Sequence, residues 1–405
     1  MADAVSIDAV LIALVGGAVV AAVLVESLCT RLAVPPLVGH LLLGVAARPL
    51  GEACGLLTEP VLQAFRLLAD LGIVALLFAV GLESHPRALA AKLPEALPVG
   101  LGNVVGSALV AFAAARWWLE LPLPASLVCA TALSATSVGV AVGLWRDAGR
   151  LASPEGELLV DVAELDDVAA MALMAVTFAL VPVLGRGGGV DAGIVGAELL
   201  GFTLRFGLFL GLCLLFARQL EPRVLRLAGR LAKPPERMVL IAGFGLLIAS
   251  AAGLLGFSLA IGALFAGLVF SRDTEVVRTE DSFRDLHAFV TPFFFIGTGL
   301  QVAPETLVTA LPIATVLLLA AVLGKFVGTT LPALLVTSTG GALLLGLSML
   351  PRAEIALVVF DQGHRRAPEL VGTELYSAGV LVALVTCVLV SVLLGPLLGR
   401  GRGGT

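Results

Sequence analysis

Charged residues are scarce in this chain of 405 residues: they make up 14% of it, whereas hydrophobic residues make up 59%. Soluble domains usually contain about a quarter charged residues, and the mean hydropathy here is +1.06. The scarcity of charge therefore excludes an ordinary soluble domain and indicates a protein that crosses a membrane many times. No basic patch indicates a nucleic-acid partner, and the net charge of −5 is modest.

Cysteines are also few, and they do not form a recognisable site. The chain has five, which lie in or beside apolar runs and show no spacing typical of metal ligands or of a disulfide framework. A cleavable signal sequence is not indicated, because the apolar run after the acidic start, MADAVSID, is too long for a signal-peptide core. We therefore expect no bound cofactor and a first true span that begins outside the membrane.

Thirteen apolar segments are long enough to span a bilayer, or nearly so. They lie at residues 6–29, 36–49, 62–83, 95–118, 124–145, 156–184, 193–217, 237–255, 258–271, 283–302, 309–335, 341–362 and 374–398, and the second and ninth are short. With the N-terminus outside, the inner loops contain sixteen of the 25 Lys and Arg residues and the outer loops six, as the positive-inside rule requires. We therefore predict an all-α polytopic membrane protein with about thirteen transmembrane helices and its C-terminus inside.

A repeat at an offset of 218 residues divides the chain into two similar halves. The pattern Phe-Arg-x-Leu at 65–68 recurs at 283–286, and Gly-Leu-x-x-x-Pro at 81–86 recurs at 299–304. The halves would be spans 1–6 and 8–13, joined by span 7, and this extra crossing turns the second half upside down. Inverted repeats are typical of secondary transporters, whose sites lie where broken helices of both halves meet.

The sixth apolar segment contains four carboxylates within seven residues: Asp161, Glu164, Asp166 and Asp167. A charged side chain near the middle of a membrane costs several kcal/mol unless it is paired, hydrated or neutralised, so this cluster indicates a function. On a helical wheel Asp161, Glu164 and Asp167 share one broad stripe, and Asp166 lies beyond Asp167, on the side away from the other two acids. The stripe must face water or other polar groups, which predicts an ion- or proton-binding site.

Two spans have the features of broken helices. The fifth contains a hydroxyl-rich run at 131–139 that ends in glycine, and the offset aligns it with Leu-Pro-Arg-Ala-Glu at 350–354 in the twelfth span. Pro351 lacks a backbone donor and frees a carbonyl at membrane depth. Thr136 and Glu354 occupy matching places in the two copies. We therefore predict two crossed discontinuous helices, whose carbonyls and half-helix ends bind or compensate ions.

Several motifs, taken together in their order and spacing, resemble a known family. They are Val-Pro-Pro-Leu-Val-Gly at 34–39, Leu-Phe-Ala-Val-Gly-Leu-Glu at 77–83, Thr-Ser-Val-Gly at 136–139, Asp-Asp at 166–167, Gly-Ala at 262–263, Phe-Phe-Phe at 293–295, Gly-Lys-Phe at 324–326 and Pro-Arg-Ala-Glu at 351–354. Over nearly its whole length the chain resembles the monovalent cation/proton antiporter-2 family, especially its NapA-type sodium/proton antiporters. The membrane domain of Kef-type transporters is related.

The resemblance implies an NhaA/NapA-like fold, in which a core domain moves like an elevator against a dimerisation domain. The dimerisation domain would comprise residues 1–92 and 237–307 and the core residues 93–190 and 308–405, with a linker helix and a basic loop at 191–236. It also implies a homodimer in a bacterial inner membrane and a role in pH homeostasis. His40, the run Ala47-Arg48-Pro49, and the acids Asp161 and Glu164 depart from the family pattern, and the two acids leave the number of titrating groups open.

The polar residues of the predicted core fall into two groups. The first group is expected to bind the ion or proton, and it comprises Asp166, Asp167 and Thr136. The second group is expected to compensate charge or to couple cation binding to proton release, and it comprises Lys325, Glu354, Arg352 and Glu164. The monovalent cation itself is expected at Asp167, and the resemblance implies that Asp166 pairs with Lys325. Glu164 is a candidate partner for Arg352.

Competition at one site would make exchange obligatory. If Asp167 holds either a proton or a small hard cation, but not both, one ligand must leave before the other binds. Release of a proton by Lys325 on cation binding would give two protons per cation and an electrogenic cycle. We therefore expect an antiporter, not an enzyme, that exchanges Na⁺ or Li⁺ for H⁺; a K⁺/H⁺ antiporter of the same fold is the alternative.

Two other classes have less support. A cation channel would need a selectivity filter, and no TVGYG-like loop occurs. An intramembrane aspartyl protease would need its two acids on separate spans, and no Gly-x-Gly-Asp occurs. The expected partners are therefore the monovalent cation, the proton, the lipid bilayer and a second copy of the chain, with no nucleic acid.

Overall fold

The computed structural model describes residues 7–84, 86–184, 192–231, 234–271 and 280–399, and these ranges form helices joined by short connections. The predicted start of the chain outside the membrane rests on residues 1–6, which lie outside the described ranges. In chain order the helices are α1 (Ile7–Arg31), α2 (Pro36–Ala53), α3 (Glu59–Glu83), α4 (Pro86–Ala113), α5 (Leu123–Ser134), α6 (Val138–Asp147), α7 (Pro154–Leu184), α8 (Ala192–Leu215), α9 (Glu221–Leu231), α10 (Pro234–Leu254), α11 (Leu259–Phe270), α12 (Glu280–Leu300), α13 (Pro304–Ala333), α14 (Thr339–Ser348), α15 (Glu354–Arg366) and α16 (Thr373–Leu397).

Eight helical stretches within the described ranges are long and apolar enough to cross a membrane, and one of them joins α5 to α6. Four shorter apolar helices accompany them, at Met238–Leu254, Leu259–Phe270, Leu286–Leu300 and Thr339–Ser348. The outward face of α8 carries Leu200, Leu204 and Leu208, each more than half exposed, as expected for a helix surrounded by lipid. The prediction of an all-helical membrane protein is confirmed, and the count of thirteen spans stays a prediction.

Helix boundaries recur at the offset of 218 residues seen in the sequence. α4 begins at Pro86 and α13 at Pro304, and proline is favoured at this position because its missing N–H would have no partner there. The pair α5 and α6 corresponds in the same way to α14 and α15, and α7 to α16. The two halves therefore share an order of helices, and their inverted orientation stays a prediction.

The first of two compact units comprises residues 1–28, 39–86 and 200–301. Its centre is α3, which packs against α11 and α12. Glycines allow the close approach: a Cβ at Gly81 would lie 2.9 Å from Cα of Gly267, and one at Gly44 would lie 2.9 Å from Cα of Gly299. Small residues at such crossings are typical of helix packing in membranes.

The second unit comprises residues 29–38, 87–199 and 302–405, and it contains the acidic segment and both predicted helix breaks. Here α5 packs against α7 and α15, and α13 packs against α16. A buried cluster around Trp145, Leu159 and Leu345 fills one part of this unit, and Trp145 Nε1 donates to Ser348 Oγ at 2.8 Å. The first unit contains the helices predicted for dimerisation, together with much of the predicted linker. The second unit contains the helices predicted for the core. The roles of both units stay predictions.

Candidate functional site

Both predicted helix breaks are present, and they meet. The first leaves residues 135–137 between α5 and α6 in extended conformation, and the second leaves residues 349–353 between α14 and α15 outside any helix. The backbone N–H of Ser137 donates to the carbonyl of Pro351 at 2.8 Å, and Thr136 Oγ1 donates to the carbonyl of Met349 at 3.5 Å. The break at Pro351 follows from its missing donor. Thr136 therefore lies where the two half-helix pairs touch.

Asp166 forms a fully buried ion pair with Lys325. Oδ1 of Asp166 accepts from Lys325 Nζ at 2.9 Å, and both side chains are completely inaccessible to solvent. Lys325 also donates to the carbonyl of Ser134, the last residue of α5. This lysine thus joins α13, α7 and the C-terminal end of a half-helix, where the helix dipole favours a cation. The structure brings Asp166 and Lys325 together as the resemblance implied.

Asp167 is the next residue of α7 after Asp166, but its side chain lies in a different environment. It is half-buried, whereas Asp166 is fully buried. One step along a helix rotates the side chain by about 100°, so the two carboxylates leave the helix in different directions. One acid is therefore fixed in an ion pair, and its neighbour is only partly covered by the rest of the protein.

The other predicted acids are spread along α7 and at the second break. Asp161 lies one to two turns before the pair, 3.8 Å from Nζ of Lys92, which is itself 2.7 Å from the exposed Glu157. Glu164 is half-buried on α7, and the half-buried Glu354 begins α15. Asp161 therefore belongs to a partly solvated charge cluster at the start of α7.

Arg352 is fully buried in the second break, and its contacts bear on one prediction. Its guanidinium donates to the carbonyls of Met349 at 3.1 Å, Pro351 at 3.2 Å and Ala321 at 3.4 Å. No ion pair between Arg352 and Glu164 occurs among the described residues, so the structure does not support Glu164 as its candidate partner. The carbonyls at the end of α14 lack helical partners and carry partial negative charge. Arg352 therefore hydrogen-bonds to backbone carbonyls at a helix end, and the nearby charge of Asp166 also acts on it.

Two residues of the buried network were missed from the sequence. Asn103 on α4 donates from Nδ2 to Asp166 Oδ1 at 2.7 Å, and Thr329 on α13 donates from Oγ1 to Asn103 Oδ1 at 2.9 Å. Both are fully buried. A lone amide within an apolar run at 99–105 was the available signal, because a polar group in a membrane span needs a partner.

A buried oxygen at this place, Oδ2 of Asp166, is still without a hydrogen-bond partner. Buried polar atoms are usually paired, so such atoms call for an explanation. Carboxylate, hydroxyl and carbonyl oxygens are the ligands that hard cations prefer. This donor set fits a small cation as transported substrate, and the position of that cation at Asp167 stays a prediction.

Broken helices that meet in a membrane protein, beside a buried carboxylate–lysine pair, are typical of secondary transporters. The chain belongs to the sodium/hydrogen exchanger family: the family described as "Sodium/hydrogen exchanger, transmembrane" matches residues 17–400. The predicted family relationship is thereby confirmed, as is ion transport by antiport.

Three of the relatives are named as antiporters of sodium or of sodium and potassium. The chain is 26% identical over 309 residues to the high-affinity Na⁺/H⁺ antiporter NhaS3 of Synechocystis sp.. This match covers 74% of the chain and 65% of NhaS3. It is 25% identical over 379 residues to the Na⁺/H⁺ antiporter of Enterococcus hirae, covering 91% of each. It is 24% identical over 371 residues to the Na⁺/H⁺-K⁺ antiporter GerN of Bacillus cereus, covering 90% of each.

The fold is similar to that of a solved antiporter. The sodium proton antiporter MjNhaP1 of Methanocaldococcus jannaschii superposes with a TM-score of 0.74, at 15% identity, over 96% of this chain and 97% of that one. At this identity the similarity concerns the fold alone.

Proposed function

We propose that this protein exchanges a monovalent cation, Na⁺ or Li⁺, for protons across the membrane. The observation that carries the proposal is the pairing of unlike acids at the meeting point of the two breaks. Asp166 is buried and held by Lys325 at 2.9 Å, and the adjacent Asp167 is half-buried. An acid fixed in an ion pair beside a partly exposed carboxylate suits a site that binds a proton and a cation in turn.

Exchange follows from competition at Asp167. Burial in a region of low dielectric favours the protonated acid, whereas a bound cation favours the carboxylate. A cation at this carboxylate would complete its shell with neutral oxygens from the first break, such as Thr136 Oγ1 and the free carbonyls. Because either ligand removes the net charge of the side chain, either one lowers the cost of carrying the site across the membrane centre.

Lys325 decides the charge balance of the cycle. In the proton-loaded form a charged Asp166, a charged Lys325 and a neutral Asp167 sum to zero. If Lys325 gives up its proton when the cation binds, two carboxylates, one cation and a neutral lysine sum to −1. Two protons then move for each cation, and each cycle transfers one net charge. If Lys325 keeps its proton, both loaded forms are neutral and exchange is one for one. We propose the first, electrogenic case.

The two compact units suit an elevator mechanism. In this proposal the second unit, which holds the site, is the moving core, and the first unit is the dimerisation domain of a homodimer. The membrane would be the bacterial inner membrane, with the N-terminus outside and the C-terminus inside.

The experiment that tests the proposal is proton flux in proteoliposomes. Purified protein is reconstituted with a pH-sensitive dye inside and given equal pulses of NaCl, LiCl, KCl and choline chloride. The proposal expects dequenching with Na⁺ and Li⁺ and none with choline. A response to K⁺ alone would establish the potassium antiporter instead, for which the similarity to GerN is the supporting observation. Failure of every cation to move protons would reject antiport.

A further inference from the structure

The amide of Asn103 is fully committed to the buried network. Its Nδ2 donates to Asp166 Oδ1 at 2.7 Å, and its Oδ1 accepts from Thr329 Oγ1 at 2.9 Å. Because an ionised carboxylate only accepts, the amide turns Nδ2 toward Asp166, and Thr329 Oγ1 donates to the remaining Oδ1 and holds the amide in that orientation. Thr329 lies four residues after Lys325, so one face of α13 presents both the lysine and the hydroxyl. A single helix face therefore supplies the ionic partner of Asp166 and also orients its amide partner.

Glycines hold α4 close enough to α13 for these short contacts. A Cβ at Gly106 would lie 2.9 Å from Cα of Gly328. A Cβ at Gly324 would lie 3.0 Å from Cα of Ser107. The sequences Gly-Asn-x-x-Gly at 102–106 and Gly-Lys-x-x-Gly at 324–328 thus cross glycine to glycine, with a polar side chain beside the first glycine of each. Such small-residue crossings let helix backbones approach in membranes, and here they place Asn103 against the ion pair.

Both donors converge on one oxygen of Asp166. Oδ1 accepts from Asn103 and from Lys325, and Oδ2 has no hydrogen-bond partner. If Lys325 loses its proton during exchange, Asp166 would lose its ion pair while it stays buried, a costly state. The Asn103 bond is independent of the charge on Lys325, so it persists in that state.

We propose that Asn103, oriented by Thr329, is a positioning residue that keeps Asp166 charged and in place while Lys325 releases its proton. This inference rests on the proposed function, since it gives the amide a part in the proton step of that exchange. Within the described ranges, the charges that act on Asp166 include Lys325 from α13, Arg352 from the second break and Asp167 on its own helix.

The direction of the pH effect follows from the hydrogen bond. The amide N–H stabilises the charged carboxylate more than the protonated acid. Without the amide, the protonated forms of the site become more populated relative to the deprotonated form, so proton release requires a higher pH. The pH profile of exchange should therefore move to higher pH when the amide is removed.

Three variants and two controls test the proposal in proteoliposomes, with initial proton flux measured against pH and against Na⁺ concentration. Asn103→Leu removes the amide at similar size, Thr329→Val removes only the orienting hydroxyl, and the third variant combines both. Thr329→Ser keeps the hydroxyl and should restore exchange. Thr330→Val removes a hydroxyl from the next residue, whose Oγ1 is buried without a hydrogen-bond partner, and should resemble the wild type.

We expect Asn103→Leu to lower the maximal rate about ten-fold, the size expected for a lost bond to a charged group, and to move the profile to higher pH. Thr329→Val should lower the rate about three-fold, as expected for a neutral hydrogen bond. The double variant should equal Asn103→Leu, because Thr329 acts only through the amide. A wild-type rate and profile in Asn103→Leu would overturn the inference, as would additive losses in the double variant. Absence of exchange in the wild type would instead reject the proposed function.

Discussion

Replacing Asp166 with asparagine removes the charge that Lys325 faces and leaves the shape of the site nearly unchanged. The ammonium of Lys325 is completely inaccessible to solvent, and its other partner in the structure is the carbonyl of Ser134. We therefore expect Asp166→Asn to destabilise the folded protein strongly. Lys325→Met should do the same, because it leaves the carboxylate alone.

The magnitude follows from the separation and the burial of the two charges. At 2.9 Å, an effective dielectric constant of about 20 gives an attraction of roughly 6 kcal/mol, which is the upper limit of what is lost. Breaking a buried pair by removing one partner typically costs about 3–5 kcal/mol. The asparagine carbonyl can still accept one bond from Lys325, so the lower end, about 3 kcal/mol, is expected for Asp166→Asn. The double variant leaves no unpaired charge, so its stability should be close to that of the wild type.

The assay is equilibrium unfolding in mixed detergent micelles for both single variants and the double variant. Glu52→Gln is the matched control: its ion pair with Arg48 has the same length, 2.9 Å, but Glu52 is 54% exposed. Exposed pairs contribute about 0.2–1 kcal/mol. If Asp166→Asn costs no more than Glu52→Gln, or if the double variant costs the sum of the two single ones, the ion pair does not stabilise the core as argued.

Two further predictions concern the packing of the second unit. Cysteines at Ala135 and Ala353 should crosslink with a short reagent in active protein. The reason is that Ser137 and Pro351, two residues away from them along the chain, share a backbone hydrogen bond of 2.8 Å. Failure to crosslink at these and all neighbouring positions would contradict the meeting of the breaks. Gly106→Val should destabilise the protein by about 1–3 kcal/mol and lower exchange, because its Cβ would lie 2.9 Å from the backbone of α13; unfolding and flux equal to those of the wild type would contradict the close crossing.

The sequence contained the local signals for the two breaks. Pro351 lacks the donor that a helix needs, and the run of hydroxyls around Thr136 competes with helical hydrogen bonds. Both signals act within a few residues, so they can be interpreted without knowing the fold. The offset of 218 then paired the two segments, and the structure places them in contact.

Other parts of the site depend on contacts between distant parts of the chain. Asn103 and Thr329 are 226 residues apart, and no local pattern shows that one orients the other. The hydrogen-bond partners of Arg352 were missed for a similar reason. A buried guanidinium suggests a carboxylate, but Nη1 of Arg352 donates to backbone carbonyls of the second break, those of Met349 and Pro351. The roles of the two units, the homodimer and the inverted orientation stay predictions.

The central claim is that the two adjacent acids have different tasks, and charge movement tests it most directly. Currents on a solid-supported membrane after a Na⁺ jump are compared with proton flux for the wild type, Asp167→Asn and Asp166→Asn. We predict an electrogenic current in the wild type and neither current nor flux in Asp167→Asn. In Asp166→Asn we predict residual proton flux with less charge moved per cation. Full activity in Asp167→Asn, with a fold like that of the wild type, would contradict the account and move the site to Glu164 or Glu354.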